Sequence, residues 1–506
     1  MGPQKLPGMR LRPLSIIVFA CAVAAGSVPA ASGTSHLSTR PGDCRERVND
    51  TIAKLEQCIQ KAELWGELAQ FQRIADDNPG PSGHGNRDTG TPGYAASVKH
   101  VATLMRRAGY DVTIQAYAYT AFELSGTPQF ATHDRAFVPE RDWFVARLSG
   151  GGSITAPVEP PSGSAAGCDP GDFAAFRRGN VALLERGDCT YDTQVANAQA
   201  AGAGAVILYD AEEGSAHEAR LIEPAAVPVA GLTTYALGAG LLREYQSGRS
   251  PTVHLSITMQ RTSGEDYNLI ADSPYGDPNH LVAVDAHLDS IYGAGMLDNA
   301  SGSTTILDIA LNLAKTPTKN KLRYIWFGGE ELGLLGSRYY TRHLTQAQLR
   351  QFAFDVDVDV TATPNFDVLV ADPMYAFNVK RFPRGVVPRS EIGNELFADF
   401  FKRSGVASEP ARFGNAGTDS NSFSLVGIPN TGILTAQDCC KHGWETAIWG
   451  GYLGNYEGDI PSFNGGCVDY PHRWCDNLSN NDAAVFELAS RAVADVTLRL
   501  ANRPFR

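Results

Sequence analysis

The chain has 506 residues, of which 43% are hydrophobic and 19% are charged, and it contains 51 glycines and 29 prolines. This length is too great for one ordinary hydrophobic core and predicts two or three folded units, and the composition excludes disorder over most of the chain. The formal net charge of −12 at pH 7 argues against nucleic acid or an anionic membrane as the main partner.

Residues 1–30 have the pattern of an export signal. Basic residues precede an apolar run from Leu14 to Ala25, and Val28-Pro29-Ala30 puts small residues at the expected cleavage position. The run is short for a membrane span, and Cys21 lies inside it, which argues against lipidation. We therefore expect a secreted protein without a membrane anchor, with a vacuole or a periplasm as alternative destinations.

Removal of this signal would leave eight of the nine cysteines. An even number of cysteines in an exported chain predicts disulfides. Proximity in the sequence favours the pairs Cys44–Cys58 and Cys168–Cys189, and the other four are expected to pair among themselves. Those four are Cys439, Cys440, Cys467 and Cys475. The alternative, a thiolate zinc site, lacks a close C-x-x-C pair.

An α/β pattern opens the mature chain. The spacing of apolar residues predicts helices at Leu64–Ala75 and Tyr94–Arg107, with Gly109 ending the second, and a strand at Asp111–Tyr117. Residues 31–62 precede this pattern as an N-terminal segment and are a candidate propeptide.

The segment 141–257 has a different character. It contains short predicted strands separated by turns, and an Ala/Gly-rich helix around Thr193–Gly202. This pattern predicts a smaller, β-rich domain inserted into a larger one, which residues 63–140 and 258–506 would form.

Regular alternation of strands and helices resumes after the insert. Long apolar strands alternating with helices predict the α/β class, with a mainly parallel mixed sheet flanked by helices. The predicted strands are Tyr267–Ala271, Leu281–Ala286 and Leu322–Phe327, and the predicted helices are Ser303–Ala314, one starting near Leu332, and Ala483–Ala501.

The strand Leu281–Ala286 is followed by His287, and the loop beyond it carries Asp298 at the start of the next helix. Groups at the carboxyl ends of strands in a mainly parallel sheet line the ligand crevice, so His287 and Asp298 are expected to meet. Asp289 follows His287 by two residues and is expected to orient its imidazole. Each residue alone has a plainer interpretation, His287 as a surface histidine and Asp298 as a helix cap.

Two adjacent carboxylates, Glu330 and Glu331, follow the apolar strand that ends at Phe327. Neighbouring side chains at a strand end point in different directions, so one glutamate can bind a metal while the other faces the attacking water. An acidic first turn of an exposed helix is the alternative interpretation.

The segment Phe354–Val360 alternates aspartate with apolar residues, which puts Asp355, Asp357 and Asp359 on one face of a predicted strand. Three carboxylates on one face repel each other unless they are exposed or neutralised by cations, so at least one is a candidate ligand. An exposed edge strand is the open alternative.

A late histidine, His472, lies in the loop bounded by Cys467 and Cys475, which would hold it rigidly. Together with His287 and three of the carboxylates, it supplies the inventory of a two-zinc hydrolytic site in which one aspartate bridges both ions.

In their order along the chain, these motifs resemble the co-catalytic zinc aminopeptidases, a family of secreted bacterial and vacuolar fungal enzymes. The motifs are His-x-Asp, Asp-Asn-x-Ser-Gly, Glu-Glu-x-Gly-Leu-x-Gly-Ser, an Asp before Pro-Asn, and a late His near a Cys. Asn86–Tyr94 and Gly427–Pro429 extend the likeness. The middle segments Val181–Cys189 and Ala198–Ala203 resemble a protease-associated (PA) domain. As a set in this order the motifs are specific, although each alone is weak.

The resemblance implies two Zn²⁺ ions and a set of five ligands. Asp298 would bridge the ions, His287 and Asp359 would complete one site, and Glu331 and His472 would complete the other. The choice of Asp359 rests on its alignment with the family's Asp-x-x-x-x-Pro-Asn; Asp357, one strand repeat earlier, is the alternative ligand.

The resemblance also assigns roles beyond the ligands. Glu330 would be the general base that takes a proton from the attacking water and passes it to the leaving amine. The family's secreted bacterial members often carry a tyrosine immediately before the last ligand, where this chain has Pro471; Tyr470, one place earlier, is a candidate to hold the oxyanion. A cis peptide bond between Asp298 and Asn299 is a further implication.

The expected function is therefore that of a secreted metallo-aminopeptidase, which acts on peptides with a free N-terminus. The alternatives are a non-catalytic receptor with the same pair of domains, a glutamate-type carboxypeptidase and a single-zinc glutaminyl cyclase. The complete set of candidate ligands argues against the receptor and the cyclase. The carboxypeptidase is disfavoured because no obvious helical dimerisation domain follows His472.

Overall fold

The computed structural model describes residues 41–80, 83–139, 141–187, 189–211, 216, 219, 221, 223–291, 293–376, 378–411, 418–437, 441–454, 456 and 475–505. These residues all belong to one compact unit. The predicted signal at 1–30, Cys439, Cys440, Cys467, Tyr470 and His472 lie outside the described residues.

The described chain is a mixture of helices and strands. The helices are α1 Pro41–Glu46, α2 Ile52–Glu56, α3 Lys61–Asp76, α4 Pro92–Ala108, α5 Tyr191–Ala201, α6 Tyr235–Gln246, α7 Gly302–Leu313, α8 Leu335–Arg342, α9 Gln346–Gln351, α10 Val386–Ser404, α11 Ser420–Leu425, α12 Gly443–Trp449 and α13 Ala483–Asn502. The strands are β1 Asp111–Leu124, β2 Gln129–Thr132, β3 Ala136–Phe137, β4 Gly152–Glu159, β5 Val181–Glu185, β6 Ala205–Tyr209, β7 Val229–Thr233, β8 Thr252–Ile257, β9 Met259–Asp272, β10 Asp277–His287, β11 Asn320–Phe327, β12 Phe352–Val358, β13 Leu369–Ala371, β14 Glu409–Pro410 and β15 Asn430–Leu434.

The larger sheet has the strand order β1-β9-β11-β10-β12-β15-β13-β14. Its centre is parallel, because β10 pairs in parallel with both β11 and β12, and β12 pairs in parallel with β15. The last seven residues of β10 are buried, as expected for a parallel strand covered by helices on both faces. The predicted class, a mainly parallel mixed sheet flanked by helices, is confirmed.

The smaller sheet has the order β3-β2-β8-β4-β5-β6-β7 and belongs to the insert. It includes β2 and β3, which lie before residue 141, the predicted start of the inserted domain. The chain leaves and rejoins the larger sheet at one point, since Leu124 of β1 is the register partner of Met259 of β9 and the Ser125 N–H donates to the Thr258 carbonyl at 2.8 Å. The insert thus occupies the position of a hairpin turn between β1 and β9.

Local sequence explains where the helices begin and end. In α4, the Thr91 hydroxyl accepts a hydrogen bond from the Tyr94 N–H, Pro92 fills the first turn, and Gly109 ends the helix with a φ of 95°. The helix predicted from near Leu332 begins instead at Leu335, because the Gly333 and Leu334 N–H groups first form a turn onto the Glu330 carbonyl.

The N-terminal segment packs into the core of the larger domain. Leu55 and Ile59 are fully buried in the cluster that also holds α7 and α13. The side-chain amide of Asn49 donates to the Asn312 carbonyl at 2.6 Å, so this part of the candidate propeptide is tied to α7.

The predicted disulfides Cys44–Cys58 and Cys168–Cys189 are both present. None of the described helices has the length and hydrophobicity needed to cross a membrane.

Candidate metal centre

Those predicted site residues that the structure describes meet at the carboxyl ends of three neighbouring strands, β11, β10 and β12. His287 is the last residue of β10 and is buried. Its Nε2 lies 3.1 Å from Asp298 Oδ1 and 3.3 Å from Asp359 Oδ1, so two carboxylates face one imidazole nitrogen. Burial alone would lower the pKa of His287, but the neighbouring carboxylates raise it well above its usual range.

The other imidazole nitrogen is held by Asp289. His287 Nδ1 lies 3.1 Å from the Asp289 carbonyl oxygen and 3.5 Å from its carboxylate. The same carboxylate accepts a hydrogen bond from the Thr89 hydroxyl at 2.9 Å and from the backbone N–H groups of Glu330 and Glu331 at 3.3 Å each. Asp289 therefore joins the ends of β10 and β11 beneath the site.

Asp298 lies in a turn of π-helix, Met296–Ser301, that leads into α7. The peptide bond between Asp298 and Asn299 is cis, as the resemblance implied. The side chain of Asn299 fixes the turn to β12, because its Nδ2 donates to the Val358 carbonyl at 2.9 Å and its Oδ1 accepts from the Gly302 N–H at 2.8 Å. Gly302 is required there, since a Cβ would lie 2.3 Å from the Val358 carbonyl oxygen.

The acidic strand β12 is central and buried, so the exposed edge strand is the wrong interpretation. Asp359 follows the strand and faces His287. Asp357 is engaged elsewhere, because its Oδ2 accepts from the Thr418 hydroxyl and from the Ser420 N–H, both at 2.9 Å. Burial raises the pKa of Asp357 to about 6.

Glu330 and Glu331 follow the end of β11 and are both buried, which excludes the exposed helix turn as their setting. Ligand atoms of His287, Asp298 and Glu331 all lie within 4.8 Å of one another. Burial raises the pKa of Glu330 to about 7, against the opposing effects of His287 and Arg147. The arrangement brings together nitrogen and oxygen donors suited to zinc, with a carboxylate of near-neutral pKa beside them.

Three residues of the site were not predicted from the sequence. Arg87 is fully buried and donates to the backbone carbonyls of Leu288, Ala294 and Gly295, each at 2.7 Å, which fixes the loop between β10 and the π-helical turn. The carboxylate of Asp476 accepts from the Asp298 N–H at 3.0 Å.

The third, Arg147, belongs to the insert and donates to the Glu330 carbonyl at 2.7 Å. Arg87 lies in the Asn86–Tyr94 motif that carried part of the resemblance, which was the only sequence signal for any of these contacts.

Comparison with known proteins identifies the family of this chain. The model of peptidase family M28 matches residues 268–497, and that of the PA domain matches residues 154–240. An aminopeptidase of Pseudomonas aeruginosa is 31% identical over 465 residues, covering 88% of this chain and 81% of that protein. A probable leucine aminopeptidase 2 of Aspergillus fumigatus is 28% identical over 475 residues, covering 91% and 87%.

The fold is also found among solved structures. The aminopeptidase from Aneurinibacillus sp. strain AM-1 matches with a TM-score of 0.65 at 19% identity, covering 90% of this chain and 97% of that one. The predicted kinship with aminopeptidases of this family, with an inserted PA domain, is confirmed by the two family models and by the relatives. The relatives are matched over most of their length, and the insert lies between two strands of the peptidase sheet. This chain therefore belongs to peptidase family M28 and carries an inserted PA domain.

Proposed function

We propose that this protein is an exported aminopeptidase that removes the N-terminal residue of peptides with the help of two zinc ions. The observation that carries the proposal is the meeting of His287, Asp298 and Glu331, whose ligand atoms lie within 4.8 Å of one another beside the buried Glu330. The aminopeptidases among its relatives support the reaction, and the predicted signal and the two disulfides support export.

The donor set fits zinc. Buried carboxylates normally need a cation or several hydrogen bonds, and here Asp298 and Asp359 converge with Glu331 around one imidazole. Nitrogen and carboxylate oxygen are ligands that zinc accepts. Zinc, when bound, would polarise the scissile carbonyl and lower the pKa of the attacking water.

We assign the ligands as the family resemblance implies. Asp298 would be shared by the two ions, His287 and Asp359 would help to hold one, and Glu331 and His472 would help to hold the other. The contact of Asp359 with His287 favours it over Asp357, whose carboxylate is already hydrogen-bonded to Thr418 and Ser420. His472 enters on the resemblance alone.

Glu330 acts as the general base. Its carboxylate takes a proton from the attacking water and later gives it to the nitrogen of the leaving amine, so it must be ionised at the start of each cycle. Burial raises the pKa of Glu330, which makes its carboxylate a stronger base than that of an exposed glutamate. Asp289 supports the reaction indirectly by orienting His287 and holding the backbone of Glu330 and Glu331.

The acidic surroundings favour a substrate with a positively charged terminus. A free α-amine placed near the carboxylates of the site would be stabilised by them, which confines cleavage to the first peptide bond. Tyr470 lies one place before Pro471, the position where the secreted bacterial relatives often carry a tyrosine, and is our candidate to hold the oxyanion of the tetrahedral intermediate.

A matched pair of peptides tests the proposal. The purified protein is given a leucyl peptide that ends in glutamate, its N-acetylated twin and a peptide that begins with glutamine, and the products are identified by mass spectrometry. An aminopeptidase releases leucine from the free peptide only. Release of a C-terminal glutamate would indicate the carboxypeptidase, cyclisation of an N-terminal glutamine would indicate the cyclase, and no reaction after zinc is added would indicate the receptor.

A further inference from the structure

The inserted domain reaches into the candidate active site through a single side chain. Arg147 lies between β3 and β4, and its Nη2 donates to the backbone carbonyl of Glu330 at 2.7 Å. The contact is partly buried and joins residues 183 positions apart in the sequence. A hydrogen bond from a guanidinium is charge-assisted and stronger than one between neutral groups.

The peptide unit that receives this bond joins the proposed base to a proposed metal ligand. Its carbonyl belongs to Glu330 and its N–H to Glu331, and that N–H points to the carboxylate of Asp289 at 3.3 Å. Because a peptide unit is planar, its carbonyl and N–H are fixed together. Arg147 from the insert and Asp289 from the peptidase domain therefore hold one plane from its two sides, and the rotation of that plane sets the directions of both glutamate side chains.

Arg147 is presented from a well-supported backbone. The Arg147 N–H donates to the Ala219 carbonyl at 3.0 Å, and the Ala146 N–H donates to the Val229 carbonyl at 3.0 Å. Val145 forms a bridge with Ala230 of β7. The contacts with Val229 and Ala230 attach the segment to β7, the edge strand of the insert's sheet, so the position of the guanidinium follows the position of the whole domain.

We propose that Arg147 is a positioning residue, through which the inserted domain aims the carboxylate of Glu330 at the attacking water. The inference rests on the proposed function of Glu330. It gives the insert a part in turnover, beyond any part in recognising substrates. The turn between β11 and α8, which carries Glu330, does not depend on Arg147 to fold. The N–H groups of Gly333 and Leu334 also donate to the Glu330 carbonyl, at 2.8 and 2.9 Å.

A second contact between the two domains provides a matched control. Arg338 of α8 forms an ion pair with Glu223 of the insert. Replacing Arg338 by Met removes this cationic contact between the same two domains. The test compares Arg147→Met, Arg147→Lys and Arg338→Met with the wild-type enzyme, by steady-state kinetics on leucine p-nitroanilide and by zinc content.

We expect Arg147→Met to lower kcat at least about tenfold, with KM changed by less than about twofold. Zinc content should be that of the wild type. Arg147→Lys, which keeps the charge and one donor, should recover part of kcat, and Arg338→Met should have wild-type kcat. If Arg147→Met fails to fold, the Lys variant decides: a lowered kcat at unchanged KM supports the inference, and an unchanged kcat overturns it.

Three other results would overturn the inference. The first is a wild-type kcat in Arg147→Met, and the second is an Arg147→Met variant in which only KM rises or in which zinc content falls together with kcat. The third is an equal loss of kcat in Arg338→Met, which would mean that domain docking alone matters. An active wild-type enzyme with any of these results leaves the proposed function standing. A wild-type enzyme that stays inactive with zinc would overturn both.

Discussion

Replacement of Asp289 by Asn tests the support beneath the candidate metal centre. The carboxylate of Asp289 lies 3.5 Å from His287 Nδ1, and it accepts hydrogen bonds from the Thr89 hydroxyl and from the N–H groups of Glu330 and Glu331. Asn has nearly the same volume but keeps only one acceptor oxygen. Its NH₂ group would face donors, and the negative charge beneath the imidazole would be lost.

The expected magnitude follows from these contacts. Removing a partner that orients a metal-bound histidine typically costs about 10- to 100-fold in metal affinity or activity, or about 1.4–2.8 kcal/mol. The two backbone bonds, at 3.3 Å each, are long and contribute less than the bond from Thr89 at 2.9 Å. We therefore expect the loss of charge at His287 to dominate, with zinc affinity reduced within that range.

The assay is a competition for zinc between the protein and a chromogenic chelator, with kcat/KM measured on zinc-saturated enzyme. Asp266→Asn is the matched control. Asp266 is also buried and also accepts two backbone N–H bonds, from Gly90 at 2.7 Å and Tyr267 at 2.9 Å, and among the described residues neither bond comes from a proposed ligand. Wild-type zinc affinity and activity in Asp289→Asn, or an equal loss in Asp266→Asn, would refute the reasoning.

Three further predictions concern the base, the N-terminal disulfide and a buried acid. Glu330→Gln should keep its zinc content but lose about 10²- to 10⁴-fold in kcat, because the amide cannot take a proton; parallel loss of zinc would instead make Glu330 a ligand. Replacing Cys44 and Cys58 with Ala should lower the free energy of unfolding by about 3 kcal/mol, as expected for cysteines 14 residues apart, and an unchanged denaturation midpoint would contradict this. Burial raises the pKa of Asp308 from 3.8 to about 7 despite Arg45, so its contribution to stability is full below pH 3.8 and is lost as the pH rises through about 7. Asp308→Asn should therefore raise the denaturation midpoint at pH 8 more than at pH 4. A variant whose midpoint at pH 8 is equal to or below that of the wild type would contradict this prediction.

The sequence predicted the parts of the site that local patterns encode. His287 directly follows a continuous apolar run, and such folds bind ligands at the carboxyl ends of their parallel strands. Its contact with Asp298 could therefore be predicted from the position of His287 at the end of a strand. The same reasoning applied to Glu330 and Glu331 at the end of β11. The buried, central setting of β12 was not predicted, because alternating aspartates are also typical of an exposed edge.

Contacts between segments distant in sequence were missed for a physical reason. Arg87, Arg147 and Asp476 act through hydrogen bonds to backbone groups, and a backbone carbonyl or N–H leaves no mark in the sequence of its partner. The strands β2 and β3, which precede residue 141, were not assigned to the insert from the sequence, since β2 pairs with β3 and with β8, and β8 lies more than a hundred residues later. Only the three-dimensional register shows that the insert begins where β1 and β9 separate.

Zinc titration of the metal-free enzyme tests the central claim most directly. The purified protein is stripped with a chelator, zinc is returned in steps, and hydrolysis of leucine p-nitroanilide is followed together with the bound metal. We expect no activity without zinc, and activity that rises until two ions are bound per chain. Full activity in the metal-free protein, or binding of two zinc ions without any hydrolysis, would contradict it.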